Sequence, residues 1–372
     1  MNKQPIKNLL NLIKVLGFMA VLIFIYSTLT YVMRNDAENA RLIILDFYGE
    51  EKNSLDMVMI GGSNVYRYWS PMKAYGKYGF TSYCYAASAM DPSVVLPSIK
   101  DVMERQKPKL ILIEARPFLE GKMDRQLNSD LRNTTDSWDI DLDRIKAVKY
   151  ICDANKFVYE DRKLLYFDFI QYHDNYEALT DLNHWKLFNN RSHLSKYQNG
   201  FYKGFAIASK YKEIEDPRTK ISTDCNELNE IQEKLLIDVL EYSKELGPDT
   251  ELIFVASPYG FKKKEFKQLN EIAGIVDSYG VEFVNSNLYL DDMEMDYSTD
   301  FYNNKHVNIL GAEKYTSFLA DYLVQRNTLP DHRGEYTDWD EVYKQYEAEE
   351  KEAIAVTKEK IKNGEEEDSQ DE

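Results

Sequence analysis

Ser63 stands in "VMIGGSNVYRYWSP", where four apolar residues, Met57 to Ile60, give way to two glycines, a serine and an asparagine. A strand pattern ending in such a turn uses its serine either as an ordinary helix cap or as a nucleophile at the mouth of a sheet. The second use has requirements. A serine alcohol is a weak nucleophile at neutral pH, so it needs a base, a group that orients the base, and donors aimed at the developing oxyanion. The chain offers five histidines, His173, His184, His193, His306 and His332. The first three fall in an aromatic-rich stretch, and His332 lies beyond the last apolar helix pattern. His306 is placed differently. It sits in "DFYNNKHVNILGAEKYT", after the last strand pattern and before a helix with Tyr315, Phe318, Leu319, Tyr322 and Leu323 on one face. Asp300 lies six residues before it and Asn303 three. Either can hold an imidazole, but only a carboxylate stabilises the imidazolium formed during proton transfer. Asp300 is therefore the expected orienting residue, with Asn303 as the alternative.

These residues need elements that bring them together. Met57 to Ile60, "SYCYAAS", Leu110 to Ile113 in "KPKLILIEARPF", "DTELIFVASPYG" and "VEFVNS" read as strands. Between them lie helical patterns, such as Val95, Ile99, Val102 and Met103, or "EFKQLNEIAGIVDSYG". This alternation predicts an α/β fold: a parallel sheet with helices on both faces and its site at the carboxyl ends of the strands. Leu119 to Gly247 is rich in Tyr, Phe, Trp, Asp and Asn and reads as a helical insertion, not an independent domain. Its aromatics suit either a core or stacking on sugar rings. The domain is expected to cover 34–330, with 119–247 as the insertion. Residues 331–372 read as a charged helical stretch with an acidic tail, "NGEEEDSQDE".

The N-terminus carries a charge-free stretch, Val15 to Met33, about long enough to cross a bilayer. Lys3, Lys7 and Lys14 precede it, whereas Arg34 is followed by Asp36 and Glu38. The positive-inside rule then places 1–14 in the cytoplasm, 15–33 in the membrane and the rest outside. A cleaved signal peptide is the rival reading, but no Ala-x-Ala-like site follows the stretch. A net charge of −17 over 372 residues argues against nucleic acid as a partner. The three cysteines, Cys84, Cys152 and Cys225, have no CxxC spacing. Neither a disulfide scaffold nor a metal or other cofactor is expected.

The ordered set resembles the SGNH (GDSL) hydrolase superfamily: a strand ending in Gly-x-Ser near the start, and an Asp and a His just before the last helix. More narrowly, "VMIGGSNVY", "KPKLILIEARPF" and "DFYNNKHVNILGAEKYT", with the anchor, are similar to its membrane-anchored envelope branch. That branch serves teichoic acid D-alanylation and alginate-type acetylation. The similarity covers roughly Ser54 to Leu323 outside the insertion. It implies a flavodoxin-like three-layer fold, with Ser63 as nucleophile and first oxyanion donor and His306 as base. Where the superfamily often has its orienting Asp, this chain has Asn303. The resemblance further implies oxyanion donors near Ala87 and Ser88. In place of a Gly-x-Asn-Asp block stands "EARP", which offers Glu114 and, for an oxyanion or a substrate anion, Arg116.

The implied activity is that of an extracytoplasmic serine esterase or O-acyltransferase on acyl esters of cell-envelope polysaccharide or teichoic acid. A multi-spanning membrane O-acyltransferase is the implied donor partner. The rival expectation is a catalytically silent SGNH-fold subunit that binds or scaffolds in an envelope-modifying complex, with the aromatic insertion as its working surface.

Overall fold

Five short apolar runs become strands because both of their faces are covered, the condition under which parallel strands lose polar alternation. The computed structural model describes residues 4–34, 39–119, 127–157, 159–182, 185, 201–326 and 329–367. In chain order its elements begin with α1 (Gln4–Met33), α2 (Asn39–Phe47), β1 (Met57–Gly61), α3 (Ser63–Tyr68), α4 (Pro71–Tyr78) and β2 (Ser82–Ala86). Next come α5 (Pro92–Arg105), β3 (Leu110–Glu114), α6 (Leu127–Thr135), α7 (Leu142–Ala154), α8 (Tyr159–Tyr166), α9 (Asp168–Tyr172) and α10 (Glu230–Ser243). The chain continues through β4 (Glu251–Ala256), α11 (Lys263–Ser278), β5 (Glu282–Asn285), β6 (Phe301–Asn303) and β7 (His306–Val307). It closes with α12 (Ile309–Arg326) and α13 (Thr337–Asn363).

The main sheet has the order β2-β1-β3-β4-β5, and every pairing in it is parallel. This is the 2-1-3-4-5 order of a doubly wound sheet, whose connections reverse direction between β1 and β3. Doubly wound sheets generally place their sites at such a reversal, where the loops after the two strands diverge. Ser63 follows β1 directly, and Arg116 follows β3. The α/β expectation is met at this level. Two helix groups flank the sheet: α3, α4, α12 and α13 pack together, while α5 packs with α6, α7 and α10.

Local chemistry explains the boundaries near the site. Gly61 ends β1 where a Cβ would come within 2.6 Å of the Glu114 Cβ and 2.7 Å of Val65, so the chain can turn there only without a side chain. Ser70 caps α4 by accepting from the Lys73 N–H, and Pro71 takes the first helical position, where no donor is needed. Asn308 opens α12 by accepting from the N–H groups of Leu310 and Gly311.

Three stretches depart from the sequence reading. The crossover helix α10, assigned to the insertion by composition, packs on α5 as a sheet-flanking helix. The loop before α12 contains its own antiparallel hairpin, β6–β7. The charged helix α13 buries Trp339, Val342 and Tyr346 and packs on α4 and α12. At the other end, α1 is a single helix long and apolar enough over Ile6–Met33 to cross a membrane. His184 and His193, and much of the aromatic stretch around them, lie outside the described residues.

Candidate active site

The β6–β7 hairpin carries His306 back onto α3, the helix that follows β1. Asn303 sets this turn: its Oδ1 accepts from the Lys305 N–H at 2.8 Å and from the His306 N–H at 2.9 Å. The Lys305 carbonyl accepts from the Tyr68 hydroxyl of α3 at 3.1 Å, which ties the hairpin tip to the helix that starts with Ser63. As a result Ser63 Oγ and His306 Nε2 lie 2.7 Å apart, although 243 residues separate them in the chain. With the ring proton on Nδ1, Nε2 accepts from the serine hydroxyl, the relation a general base needs.

The other face of the imidazole differs from the expectation. Asp300 does not orient it. Its carboxylate accepts instead from the Asp296 N–H at 2.8 Å, from Thr299 Oγ1 at 3.1 Å and from Lys314 Nζ at 2.7 Å. Asn303 spends its side-chain oxygen on backbone, so it positions the hairpin and not the ring. His306 Nδ1 is buried and has no hydrogen-bond partner among the described residues. The Tyr302 ring lies nearly parallel to the imidazole, centroids 5.6 Å apart.

The electrostatics are unusual for so acidic a chain. Burial, and then the charges of Arg116, Arg67, Lys305 and Lys210, push the His306 imidazole well below its ordinary range. Arg116 is 6% exposed, lies over the Tyr259 ring at 4.4 Å, and reaches the Lys305 carbonyl at 3.5 Å. Arg67 sits over the rings of Tyr66 and Tyr302, and Lys210 over Tyr302. Tyrosine faces thus hold a cationic collar around the pair.

Beneath the Gly61–Ser63 turn lies a polar chain that sequence reading missed. Asn64 Nδ2 donates to Ser257 Oγ at 3.2 Å, and the Ser257 hydroxyl and N–H donate to Glu114. Burial raises the Glu114 carboxyl to about 7, against the lowering pull of Ser257 and Arg116. The hint for Ser257 was its place in "VASPYG", at the carboxyl end of a strand beside β3.

The expected oxyanion donors divide. The Ala87 N–H is not free for that role, because it donates to the Gly61 carbonyl at 3.2 Å and extends the β1–β2 pairing. Ser88 is half-buried; its hydroxyl meets the Tyr66 hydroxyl at 3.0 Å, and its carbonyl accepts from Asn133. Ser63 opens α3, and a first helical residue has no intrahelical acceptor for its N–H. A cavity of about 280 Å³ near Tyr48, Trp138 and Tyr150 shares no lining residue with the Ser63–His306 pair. No protein-family model and no curated protein matches the chain.

Proposed function

We propose that this chain is a membrane-anchored serine esterase or O-acyltransferase of SGNH type, acting outside the cell on acyl esters of anionic envelope polymers. The observation that carries this reading is the 2.7 Å contact between Ser63 Oγ and His306 Nε2 at the reversal point of a parallel sheet. Ser63 attacks the acyl carbonyl, and His306 takes its proton and returns it to the leaving oxygen. The Ser63 N–H and the Ser88 loop are the candidate oxyanion donors, with Arg116 nearby. Water then releases the acyl group, or a sugar hydroxyl takes it.

The cationic collar supports a teichoic acid or an acidic polysaccharide as the polymer, since its positive field at the pair attracts phosphates or carboxylates. The resemblance to the envelope branch supports a multi-spanning membrane O-acyltransferase as donor partner, and Lys3, Lys7 and Lys14, all before the charge-free stretch, support a cytoplasmic N-terminus.

A second reading has its own observation. His306 Nδ1 meets no carboxylate among the described residues, and the collar opposes imidazolium formation. Both suit a silent SGNH-fold subunit that binds an anionic polymer without turning it over. A fluorophosphonate probe separates the two. The enzyme is labelled at Ser63, and Ser63→Ala and His306→Gln each abolish the labelling. A folded chain that resists the probe but binds teichoic acid supports the binding subunit.

A further inference from the structure

Helix α1 changes surroundings along its length. Its side chains are exposed from Ile6 to Ile25, half-buried from Tyr26 to Leu29, and buried from Thr30 to Arg34. The covering elements belong to the insertion. Phe169 of α9 meets Tyr26 with ring centroids 6.3 Å apart, and Asn175 Nδ2 donates to the Met33 carbonyl at 2.9 Å. Arg34 is wholly buried; it donates to Asp168 Oδ2 at 3.2 and 2.5 Å and to the Asp136 carbonyl. Arg132 and Arg144 converge on the same Asp168 carboxylate. The helix is therefore bolted to α9 and its neighbours, and not joined by a loose tether.

Helical rise fixes where this junction sits. About 20 helical residues cross a hydrocarbon core. A span that starts after Lys14 therefore ends near Met33, so Tyr26 to Met33 form its last two turns. Whatever flanks those turns lies level with the leaflet on the domain's side, not above it. The flanking segment exposes Gln171, His173 and Thr180 together with a set of large apolar groups. Asp136 and Asp168 point inward to arginines, while Phe167 is 52%, Ile170 42%, Tyr176 65% and Leu182 74% exposed. Charges paired inside and apolar groups outside are what a lipid surface selects. The exposed carboxylates Asp174, Glu177 and Asp181 set the limit of burial. They keep the segment along the headgroup boundary.

We propose that Phe167–Leu182 is a bilayer-contact surface, lying in the membrane interface beside the anchor with Phe167, Ile170, Tyr176 and Leu182 turned into lipid. This rests on reading α1 as a membrane span. Docking of this kind fixes the height and tilt of the catalytic edge. Arg132 belongs to the charged cluster, and its neighbour Asn133 holds the Ser88 carbonyl at 3.0 Å.

The test uses the full chain in phosphatidylcholine–phosphatidylglycerol vesicles containing lipids with a nitroxide near the headgroup. In a Cys225→Ser background, Phe18→Cys, Ile170→Cys and Tyr176→Cys are each labelled with bimane, and native Cys225 serves as the reference in water. Cys84 and Cys152 are buried and stay unlabelled. Labels at 170 and 176 are expected to lose fluorescence by about twofold or more, and the label at Cys225 to lose little. If position 18 is quenched while 170 and 176 are reached only by aqueous iodide, the surface faces water: the proposal fails and the span stands. Shielding from both lipid and iodide means that a protein covers the surface, which overturns the proposal too. An unquenched label at 18 removes the span itself, and the proposal with it.

Discussion

On the proposed mechanism His306 accepts the Ser63 proton only while neutral, and burial with four nearby cations keeps it in that form. The imidazole therefore stays unprotonated well below the usual histidine range. The rate of fluorophosphonate labelling of Ser63 should accordingly hold its plateau as pH falls through about 6.5. Arg116→Gln removes the largest of the opposing charges, so the His306 pKa should rise and the acid limb should move up in pH. An acid limb that stays put in Arg116→Gln would remove Arg116 from the field at the imidazole. Asp300 acts elsewhere. Its carboxylate closes the loop before β6 and pairs with Lys314, so Asp300→Ala, which strips the Asp296 N–H and Lys314 of their acceptor, should lower stability by about 1–3 kcal/mol. The labelling rate per folded molecule should change little. Urea unfolding and labelling of the same sample check both halves, and a large drop in labelling without a loss of stability would return Asp300 to the imidazole.

Among the elements, β3 places Glu114 where water does not reach, and this makes stability depend on pH. Unfolded, the carboxyl titrates near 4.5; folded, burial lifts it to about 7. Between those values the folded state holds the extra proton, so stability falls as pH rises from about 4.5 to 7 and the full loss is present above. A shift of that size corresponds to about 3 kcal/mol. Glu114→Gln keeps an acceptor for Ser257 without the charge. It should flatten this slope and raise the urea midpoint above pH 7; an unchanged slope would mean that Glu114 stays ionised in the fold. β3 is legible in the sequence, because Leu110–Ile113 is a short apolar run between a proline and polar residues, and the other sheet strands carry similar signals. The burial of Glu114 was not legible: its alternation with Arg116 also suits a solvated strand end, and Ser257 closes over it only in three dimensions. The approach of His306 to Ser63 followed from their places after strands of one sheet. The partner of Asp300 did not, because Lys314 becomes its neighbour only through the β6–β7 hairpin, which "FYNNKH" does not announce. The collar was equally hidden, since Arg67, Arg116, Lys210 and Lys305 come from four separate segments. In the sequence Arg34 is only a charge flanking a membrane helix, a role in which its burial has no signature.

Across the whole molecule, the acidic C-terminal stretch is more than a solvated appendage. Along α13, Trp339, Val342, Tyr346 and Ala353 line one buried face against α4 and α12. The Trp339 ring lies 5.3 Å from that of Tyr75, and Lys203 Nζ sits 4.0 Å over it while pairing with Glu50 at 2.9 Å. Tyr343 packs so closely on Gly76 that a Cβ there would come within 2.2 Å of its ring. The helix thus covers an almost fully buried ion pair, and breaking such a pair or leaving it uncovered is costly. Burying a large side chain stabilises by about 1.5–3 kcal/mol, so losing three of them approaches the whole stability of a typical domain, about 5–15 kcal/mol. Removal of 337–372 should therefore abolish cooperative unfolding, even though the deleted stretch is mostly charged. Trp339→Ala leaves the helix in place and opens a cavity, so it should keep a cooperative transition with a loss of about 3–5 kcal/mol. Urea unfolding followed by circular dichroism distinguishes these outcomes. If the shortened chain unfolds at the same midpoint as the full one, α13 contributes nothing to the core, and the Lys203–Glu50 pair must be stable without its cover.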